Sequence, residues 1–296
     1  MAWLQLHFEI EQAAVASLET ALLEAGALSV TLSDAADNPI LEPELNTTPL
    51  WASVRLAALF TDHPSAEPVV HAIQAALGEP LPAWRAERVD DQDWVRAWLI
   101  DYRPLHFGRL SIVPTGFETD AGTVAVHLDP GLAFGTGTHP TTALCLQWLS
   151  GQSIDGQSVI DYGCGSGILA IAALKLGAAT AMGIDHDPQA LVASRDNAHR
   201  NRIADDRLPL HTPDNAPPAA KADIVLANIL AGPLVHLADT LCQLLKPGAV
   251  LVMSGLLEPQ IAQVMHAYER RLQFEPPRVD QGWACLVARA IDSCTP

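Results

Sequence analysis

The sequence predicts an α/β protein in which a doubly wound parallel sheet follows a smaller N-terminal α+β domain. From about Arg109 onward, short apolar segments typical of buried strands alternate with helical patterns, as in a parallel sheet covered by helices on both faces. Before that point the patterns follow the order β-α-β-β-α-β, which is that of a ferredoxin-like domain. We therefore place a ferredoxin-like domain at residues 1–89, a linker helix at 90–105 and the doubly wound domain at 106–296.

The N-terminal elements are predicted from period and composition. Apolar and polar residues alternate from Leu4 to Ile10, which is the period of a half-buried strand. A helix rich in Ala, Leu and Glu should follow and end before Gly26. The remaining predicted elements are strands over 27–32, 51–60 and 83–89 and a helix over 67–77.

In the C-terminal part, strands and helices are predicted in succession. The pairs are strand 159–162 with helix 168–176, strand 181–184 with helix 188–201, and strand 224–227 with helix 230–245. A strand over 249–253, a helix over 259–270 and strand-like segments near Leu272 and Cys285 complete the domain. In the linker, Trp94 and Trp98 are four residues apart, which predicts a helix with one aromatic face.

Composition favours a cytoplasmic globular protein. The five cysteines are scattered without a Cys-x-x-Cys pair and the 11 histidines lack metal-ligand spacing, so we expect reduced thiols and no metal. The N-terminus lacks the pattern of a signal peptide. The apolar run from Gly167 to Ile184 contains Lys175 and Gly177, which indicates a buried helix, a turn and a strand rather than a membrane span.

Negative charge is concentrated in the N-terminal part of the chain. Residues 1–104 contain five arginines, no lysine and 16 Asp and Glu residues, a formal charge of −11 within a total of −17. Such a surface repels nucleic-acid phosphates and attracts a basic protein. The commoner explanation of an acidic excess is a solubilising surface, and both interpretations stay open here.

The strongest motif is Asp161-Tyr-Gly-Cys-Gly-Ser-Gly167, a buried strand running into a glycine turn and then a helix. In an open α/β sheet this first crevice is where a nucleotide-like ligand is expected. The glycine spacing departs from the dinucleotide pattern, and Asp161 would repel a pyrophosphate while attracting a cationic amino-acid group. This favours S-adenosylmethionine over NAD as the cofactor.

Three further segments predict side chains around the same crevice. Asp185 ends the next strand and could accept both ribose hydroxyls, while for Asp187 a helix N-cap is the preferred interpretation. Asn228 follows a buried strand, over the expected reaction centre, although a helix cap is the alternative. The loop before Pro140 is rich in Gly and Thr and places Thr142 in the first turn of a helix, so it could be a lid or only an ordered surface loop.

These segments together resemble the PrmA family, methyltransferases of the large-subunit ribosomal protein L11. The resemblance rests on residues 129–142, 161–167, 183–188 and 227–234, with Asp93-Trp94 in the linker and the start at Trp3-Leu4-Gln5-Leu6. It covers essentially the whole chain. The main departure is His186, which stands where a second apolar residue would be expected between two aspartates.

The resemblance implies a seven-stranded Rossmann-like methyltransferase sheet and an N-terminal domain that recognises the substrate. It implies methyl transfer from S-adenosylmethionine to lysine side-chain and N-terminal amines of a basic ribosomal protein, by a monomer. Matching motifs make Thr142, Gly163, Asp185 and Asn228 the expected cofactor contacts, with Asn228 also catalytic. His139 is a weak candidate for a general base.

An RNA or small-molecule methyltransferase is the alternative enzyme, and a non-catalytic binding protein on the same scaffold is a third possibility. Asn228 is followed by Ile229-Leu230, without the aromatic residue that would stack on a nucleobase. The acidic charge also disfavours nucleic acid, so we expect no direct nucleic-acid readout and no membrane partner.

Overall fold

A computed structural model describes residues 2–36, 40, 48–61, 65–90, 103–119, 122–129 and 135–291. The chain divides into two compact units, Met1–Trp98 and Leu99–Pro296. Among the described residues, no three His, Cys, Asp or Glu side chains are grouped as a metal site, and no helix has the length and apolarity to span a membrane. The predicted linker helix, with Asp93, Trp94 and Trp98, lies mostly outside the described residues.

The first unit is an antiparallel sheet with two helices on one face. Its elements are β1 (Ala2–Glu11), α1 (Val15–Glu24), β2 (Ser29–Asp34), β3 (Ser53–Thr61), α2 (Glu67–Leu77) and β4 (Trp84–Asp90). The sheet order is β2-β3-β1-β4. Alternate residues of β1 and β3, such as Leu6 and Leu56, are fully buried against Leu18, Leu22 and Ile73 of the helices. The predicted element order is therefore observed, with boundaries shifted by at most two residues.

A small three-stranded sheet opens the second unit, and the sequence patterns did not predict it. Its strands are β5 (Leu105–Phe107), β6 (Leu110–Val113) and β7 (Val124–His127). All four residues of β6 are buried, so this strand lacks the alternation by which a half-buried strand is recognised. The Asn201 side chain hydrogen-bonds to the backbone N and O of His127, which ties this sheet to the rest of the unit.

The main sheet carries the strands that position the site. Its strands are β8 (Ser158–Tyr162), β9 (Thr180–Ile184), β10 (Leu210–His211), β11 (Ala222–Asn228), β12 (Leu245–Leu257), β13 (Leu272–Phe274), β14 (Arg278–Asp280) and β15 (Trp283–Ala290). The order is β10-β9-β8-β11-β12-β15-β13, with β14 paired to β15. Strands β8 to β12 pair parallel with one another, whereas β15 pairs antiparallel with β12, β13 and β14.

Helices cover both faces of this sheet. They are α3 (Pro140–Ser150), α4 (Ile168–Lys175), α5 (Pro188–Arg200), α6 (Ala231–His236), α7 (Ala238–Gln243) and α8 (Ile261–Tyr268). Helix α4 is apolar almost all round, with Ile168 to Leu174 all buried, because it is packed between the sheet and neighbouring helices.

Two predictions for the second unit are corrected. The sheet has eight strands rather than seven, because after Pro276 and Pro277 the chain forms the three-residue strand β14 and returns through a turn in which Gln281 and Gly282 both have positive φ. The single helix predicted over 230–245 is two short helices, because Leu237 (φ −91°, ψ 10°) departs from helical geometry.

Candidate active site

One cavity lies at the carboxyl ends of β8, β9 and β11. It has a volume of about 390 Å³, and the four residues predicted as cofactor contacts all line it: Thr142, Gly163, Asp185 and Asn228. Asp161, which the sequence associated with a cationic group, lines the same cavity. Parallel strands bring their carboxyl ends to one edge of a sheet, so residues far apart in the chain meet there.

The glycine turn after β8 forms the floor of the cavity. Gly163 has φ 77°, and a Cβ there would collide with Cγ2 of Ile229. Gly167 has φ 78° and is the N-cap of α4. The backbone N of Gly163 donates to the Ile184 carbonyl at 2.7 Å, which ties the turn to the end of β9. The turn therefore presents bare backbone to the cavity in a conformation that other residues would strain.

Asp161 is a buried carboxyl group with an unmet hydrogen-bonding capacity. Its Oδ2 accepts a hydrogen bond from the backbone N of Ala170 in the first turn of α4 at 3.1 Å. Its Oδ1 is buried and has no hydrogen-bond partner among the described residues. Burial, together with the negative charge of Asp185, raises the pKa of Asp161 to about 7. Such a group is stabilised as a carboxylate only when a cation or donor approaches Oδ1.

Asp185 lies at the end of β9 with only 8% of its surface exposed. Its Oδ2 accepts from the backbone N of Gly165 at 2.8 Å, and its Oδ1 accepts from the backbone N of Asp187 at 3.0 Å. Each carboxylate oxygen has a second lone pair, so the group is held rigidly and can still accept hydrogen bonds from a ligand. Nδ1 of the exposed His186 is 3.5 Å from Oδ1. Asp187 is the N-cap of α5, as the sequence predicted, and accepts from the backbone N of Gln189.

Asn228 and Thr142 meet across the cavity rim. The Asn228 Nδ2 donates to Thr142 Oγ1 at 3.1 Å, although the two residues belong to β11 and to the first turn of α3. This bond fixes the amide, and Oδ1 of Asn228 is left buried without a hydrogen-bond partner among the described residues. Asp161 and Asn228 both line the cavity, and each has one buried oxygen acceptor with unmet capacity.

His139 lies outside the cavity lining. It is the N-cap of α3, and its Nδ1 accepts from the backbone N of Thr141 at 3.4 Å. Burial lowers the pKa of His139, and its ring packs edge-to-face on that of Trp283 with 4.8 Å between centroids. Trp283 has no local motif that could have singled it out. The loop residues 130–134 lie outside the described residues, whereas Ser166 Oγ donates to the Gly135 carbonyl just after them at 2.6 Å.

Comparison with known proteins places this arrangement in a family. The model of the family described as ribosomal protein L11 methyltransferase (PrmA) matches residues 2–290. The chain belongs to this family. A ribosomal protein L11 methyltransferase of Pseudomonas putida (strain GB-1) is 51% identical over 98% of this chain and 99% of the relative. That of Azotobacter vinelandii is 52% identical over 96% and 97%.

A solved structure of the family matches about two thirds of this chain. The crystal structure of a ribosomal protein L11 methylase from Lactobacillus delbrueckii subsp. bulgaricus is 30% identical, with a TM-score of 0.57. It covers 64% of this chain and 99% of the solved one. The resemblance found in the sequence motifs is therefore confirmed at the level of the family, and the α/β class of the main sheet is that of a methyltransferase.

Proposed function

We propose that this protein transfers methyl groups from S-adenosylmethionine to lysine side-chain and N-terminal amines of ribosomal protein L11. The observation that carries the proposal is that Asp161 and Asn228 line one cavity beside a glycine turn and that each has a buried oxygen without a hydrogen-bond partner among the described residues. A ligand with a cationic amino-acid end suits the first, and an amine with hydrogen atoms to donate suits the second.

The cavity residues fit S-adenosylmethionine group by group. Asp161 would hold the ammonium group of its amino-acid end, and the bare backbone of the turn at Gly163 would allow close approach. Asp185 would accept the ribose hydroxyls, because both of its oxygens retain a lone pair after their backbone hydrogen bonds. Thr142 and Asn228 complete the set at the rim. No step of this fit requires a metal ion.

Asn228 and Thr142 orient the acceptor amine. S-adenosylmethionine supplies an electrophilic methyl group on a sulfonium sulfur. An amine must be neutral and aligned to attack it, and a lysine ammonium has a reference pKa of about 10.4, which desolvation lowers. Oδ1 of Asn228 can accept from the amine N–H and so direct the nitrogen lone pair, while Thr142 fixes the amide. His139 does not serve as the base in this proposal, since its Nδ1 is engaged as the N-cap of α3.

The first unit is proposed as the substrate-recognition domain. Its strand order and its β-α-β-β-α-β sequence support assignment to the ferredoxin-like class, with residues 1–89 as the domain, 90–105 as the linker and 106–296 as the catalytic domain. The charge of −11 over residues 1–104 would attract a basic, lysine-bearing protein, with an apparent affinity that falls as salt rises. A monomeric, cytoplasmic enzyme remains a prediction.

The experiment that tests the proposal is label transfer. The protein is incubated with methyl-labelled S-adenosylmethionine and either unmethylated ribosomal proteins or ribosomal RNA, and the label is mapped by mass spectrometry. We expect label on amines of L11. Label on RNA with none on L11 would favour the alternative methyltransferase, and cofactor binding without any transfer would favour a binding protein.

A further inference from the structure

Helix α5 buries polar side chains where an amphipathic helix normally buries apolar ones. Ser194, Asn197 and Asn201, the last at the helix C-cap, are 0%, 8% and 3% exposed. Spacings of three and four residues place them along one face of the helix, which we call the polar face of α5. A buried polar group costs free energy unless it is hydrogen-bonded, so the partners of these three side chains show what the polar face does.

The polar face of α5 holds the glycine turn after β8 by its backbone. Ser194 Oγ donates a hydrogen bond to the Gly165 carbonyl at 2.8 Å, and Asn197 Nδ2 donates one to the Ser166 carbonyl at 2.9 Å. The two elements are in close contact, because a Cβ added to Gly167 would lie 2.9 Å from Ser194 Oγ. Two successive carbonyl groups of the turn are therefore fixed by side chains of a neighbouring helix.

The same turn is also held from the end of β9. The backbone N of Gly165 donates to Asp185 Oδ2 at 2.8 Å, so Gly165 is fixed through both its N–H and its carbonyl group. Gly165 and Asp185 line the cavity, whereas Ser194 and Asn197 do not. The two side chains of α5 thus act on the backbone of the turn from outside the cavity.

These hydrogen bonds matter because the turn has little stiffness of its own. Gly163, Gly165 and Gly167 all have positive φ, and glycine has the widest choice of backbone conformations of any residue. Without external hydrogen bonds, the segment 163–167 would distribute over several conformations. A ligand that binds only one of them loses affinity in proportion to the fraction of the protein that remains competent to bind.

We propose that Ser194 and Asn197 are positioning residues for the cofactor, which hold residues 163–167 in the conformation that binds it without contacting it themselves. The inference rests on the proposed function, in which this cavity binds S-adenosylmethionine. Loss of either hydrogen bond lowers the competent fraction of the turn, and so raises the apparent dissociation constant and the KM for the cofactor. At saturating cofactor the turn is again in its binding conformation, so kcat on L11 is retained.

The chain provides a matched control in Asn201. Its side chain bonds to the backbone N and O of His127, both at 2.7 Å, and to the Asn197 carbonyl at 2.8 Å, but not to the turn. Asn197→Leu and Asn201→Leu therefore remove the same amide from the same face of α5, at similar burial, and leave different backbone groups unpaired. Ser194→Ala removes a single hydroxyl group and is the mildest change.

The three variants and the wild type are compared in four measurements. Calorimetry gives the affinity for S-adenosylmethionine, and steady-state kinetics on L11 gives kcat and the KM for the cofactor. Urea denaturation gives the free energy of unfolding, and mass spectrometry gives the amide hydrogen exchange of residues 163–167 without cofactor.

We expect affinity to fall by about fivefold in Ser194→Ala and about tenfold in Asn197→Leu, with kcat within about twofold of wild type. Amide exchange in the turn should be faster in both variants. Asn201→Leu should lose stability as Asn197→Leu does, with cofactor affinity and exchange in the turn unchanged.

Wild-type affinity in folded Ser194→Ala and Asn197→Leu would overturn the inference. An equal loss of affinity in Asn201→Leu would also overturn it, because the effect would then follow from the lower stability of α5 alone. If Asn197→Leu does not fold, the affinity of Ser194→Ala decides. A wild-type protein that does not bind S-adenosylmethionine would refute the proposed cofactor site itself, which distinguishes that failure from failure of the inference.

Discussion

Two aspartates lie at opposite ends of the parallel strands β8 and β11, and they differ in how far the chain itself pairs their carboxylate oxygens. At the amino end, Oδ2 of Asp223 accepts hydrogen bonds from the backbone N and Oγ of Ser158 and from Lys246 Nζ, between 2.7 and 2.9 Å. Partial burial acts to raise its pKa, but these hydrogen bonds and the Lys246 charge lower it to about 2. At the carboxyl end, burial raises the pKa of Asp161 to about 7 and Oδ1 has no partner among the described residues.

The comparison distinguishes a structural carboxylate, Asp223, from Asp161, which we propose binds a ligand. Three donors of the chain pair with Oδ2 of Asp223, so this carboxylate is stabilised in the folded protein without a ligand. Asp161 is buried as a carboxylate at a cost that either protonation or a bound cation offsets. Unsatisfied buried polar groups are rare in folded proteins, and two of them in one cavity mark the carboxyl edge as the functional one.

The largest effect is expected for Asp161→Asn. Removing one partner of a buried charge pair costs about 3 to 5 kcal/mol, so affinity for S-adenosylmethionine should fall by roughly 150- to 5,000-fold. Calorimetry on the folded variant measures this. An affinity within threefold of wild type would mean that Asp161 is not the ammonium partner and that the contrast with Asp223 has another origin.

Asp185→Ala should have a smaller effect on the same affinity. Hydrogen bonds to a charged group contribute about 1.5 to 3 kcal/mol, which corresponds to roughly ten- to 150-fold weaker cofactor binding. Asp187→Ala is the matched control, because that residue caps α5 and should change stability more than affinity. Unchanged affinity in a folded Asp185→Ala protein would remove this residue from the site.

Asn228→Ala should separate the acceptor from the cofactor. Because Asn228 is proposed to align the amine, its loss should lower kcat by about tenfold, the value of one neutral hydrogen bond, with cofactor affinity nearly unchanged. Steady-state kinetics on L11 measures kcat, and calorimetry on the same preparation measures the cofactor affinity. Equal losses in both would assign Asn228 to the cofactor instead.

The smallest effect is expected for a substitution at the amino end of β11. Asp223→Asn weakens a partly exposed ion pair, so the free energy of unfolding should fall by about 1 kcal/mol. Urea denaturation measures this change, and cofactor affinity should stay at the wild-type value. A loss of cofactor affinity comparable to that of Asp185→Ala would erase the distinction between the two ends.

Contiguous motifs made the residues that line the cavity predictable. The run from Asp161 to Gly167 encodes a strand, a turn and a helix start, and Asp185 follows at the end of the next strand, so each could be placed without knowing the fold. The contact between His139 and Trp283 could not be predicted, because it forms only where the start of α3 packs against β15. The raised pKa of Asp161 likewise depends on burial, which spacing does not reveal.

Strand prediction failed where the usual signals were absent. Strand β10 has only two residues, β6 is buried throughout, and β14 follows two prolines. In each case neighbouring strands supply the hydrogen bonds that make the segment a strand, so tertiary context decides over local pattern.

The most direct test of the contrast between Asp161 and Asp223 is the pH dependence of the free energy of unfolding, measured without cofactor. Because the pKa of Asp161 is raised from 3.8 to about 7 in the folded protein, the folded state binds more protons than the unfolded state between these values. Stability from this group is therefore full below pH 4 and is lost as pH rises toward 7, by at most about 4 kcal/mol. Urea denaturation of the wild type and of Asp161→Asn from pH 4.5 to 8 should show most of this fall in the wild type and none of it in the variant. Coincident pH profiles for the two proteins would contradict the account.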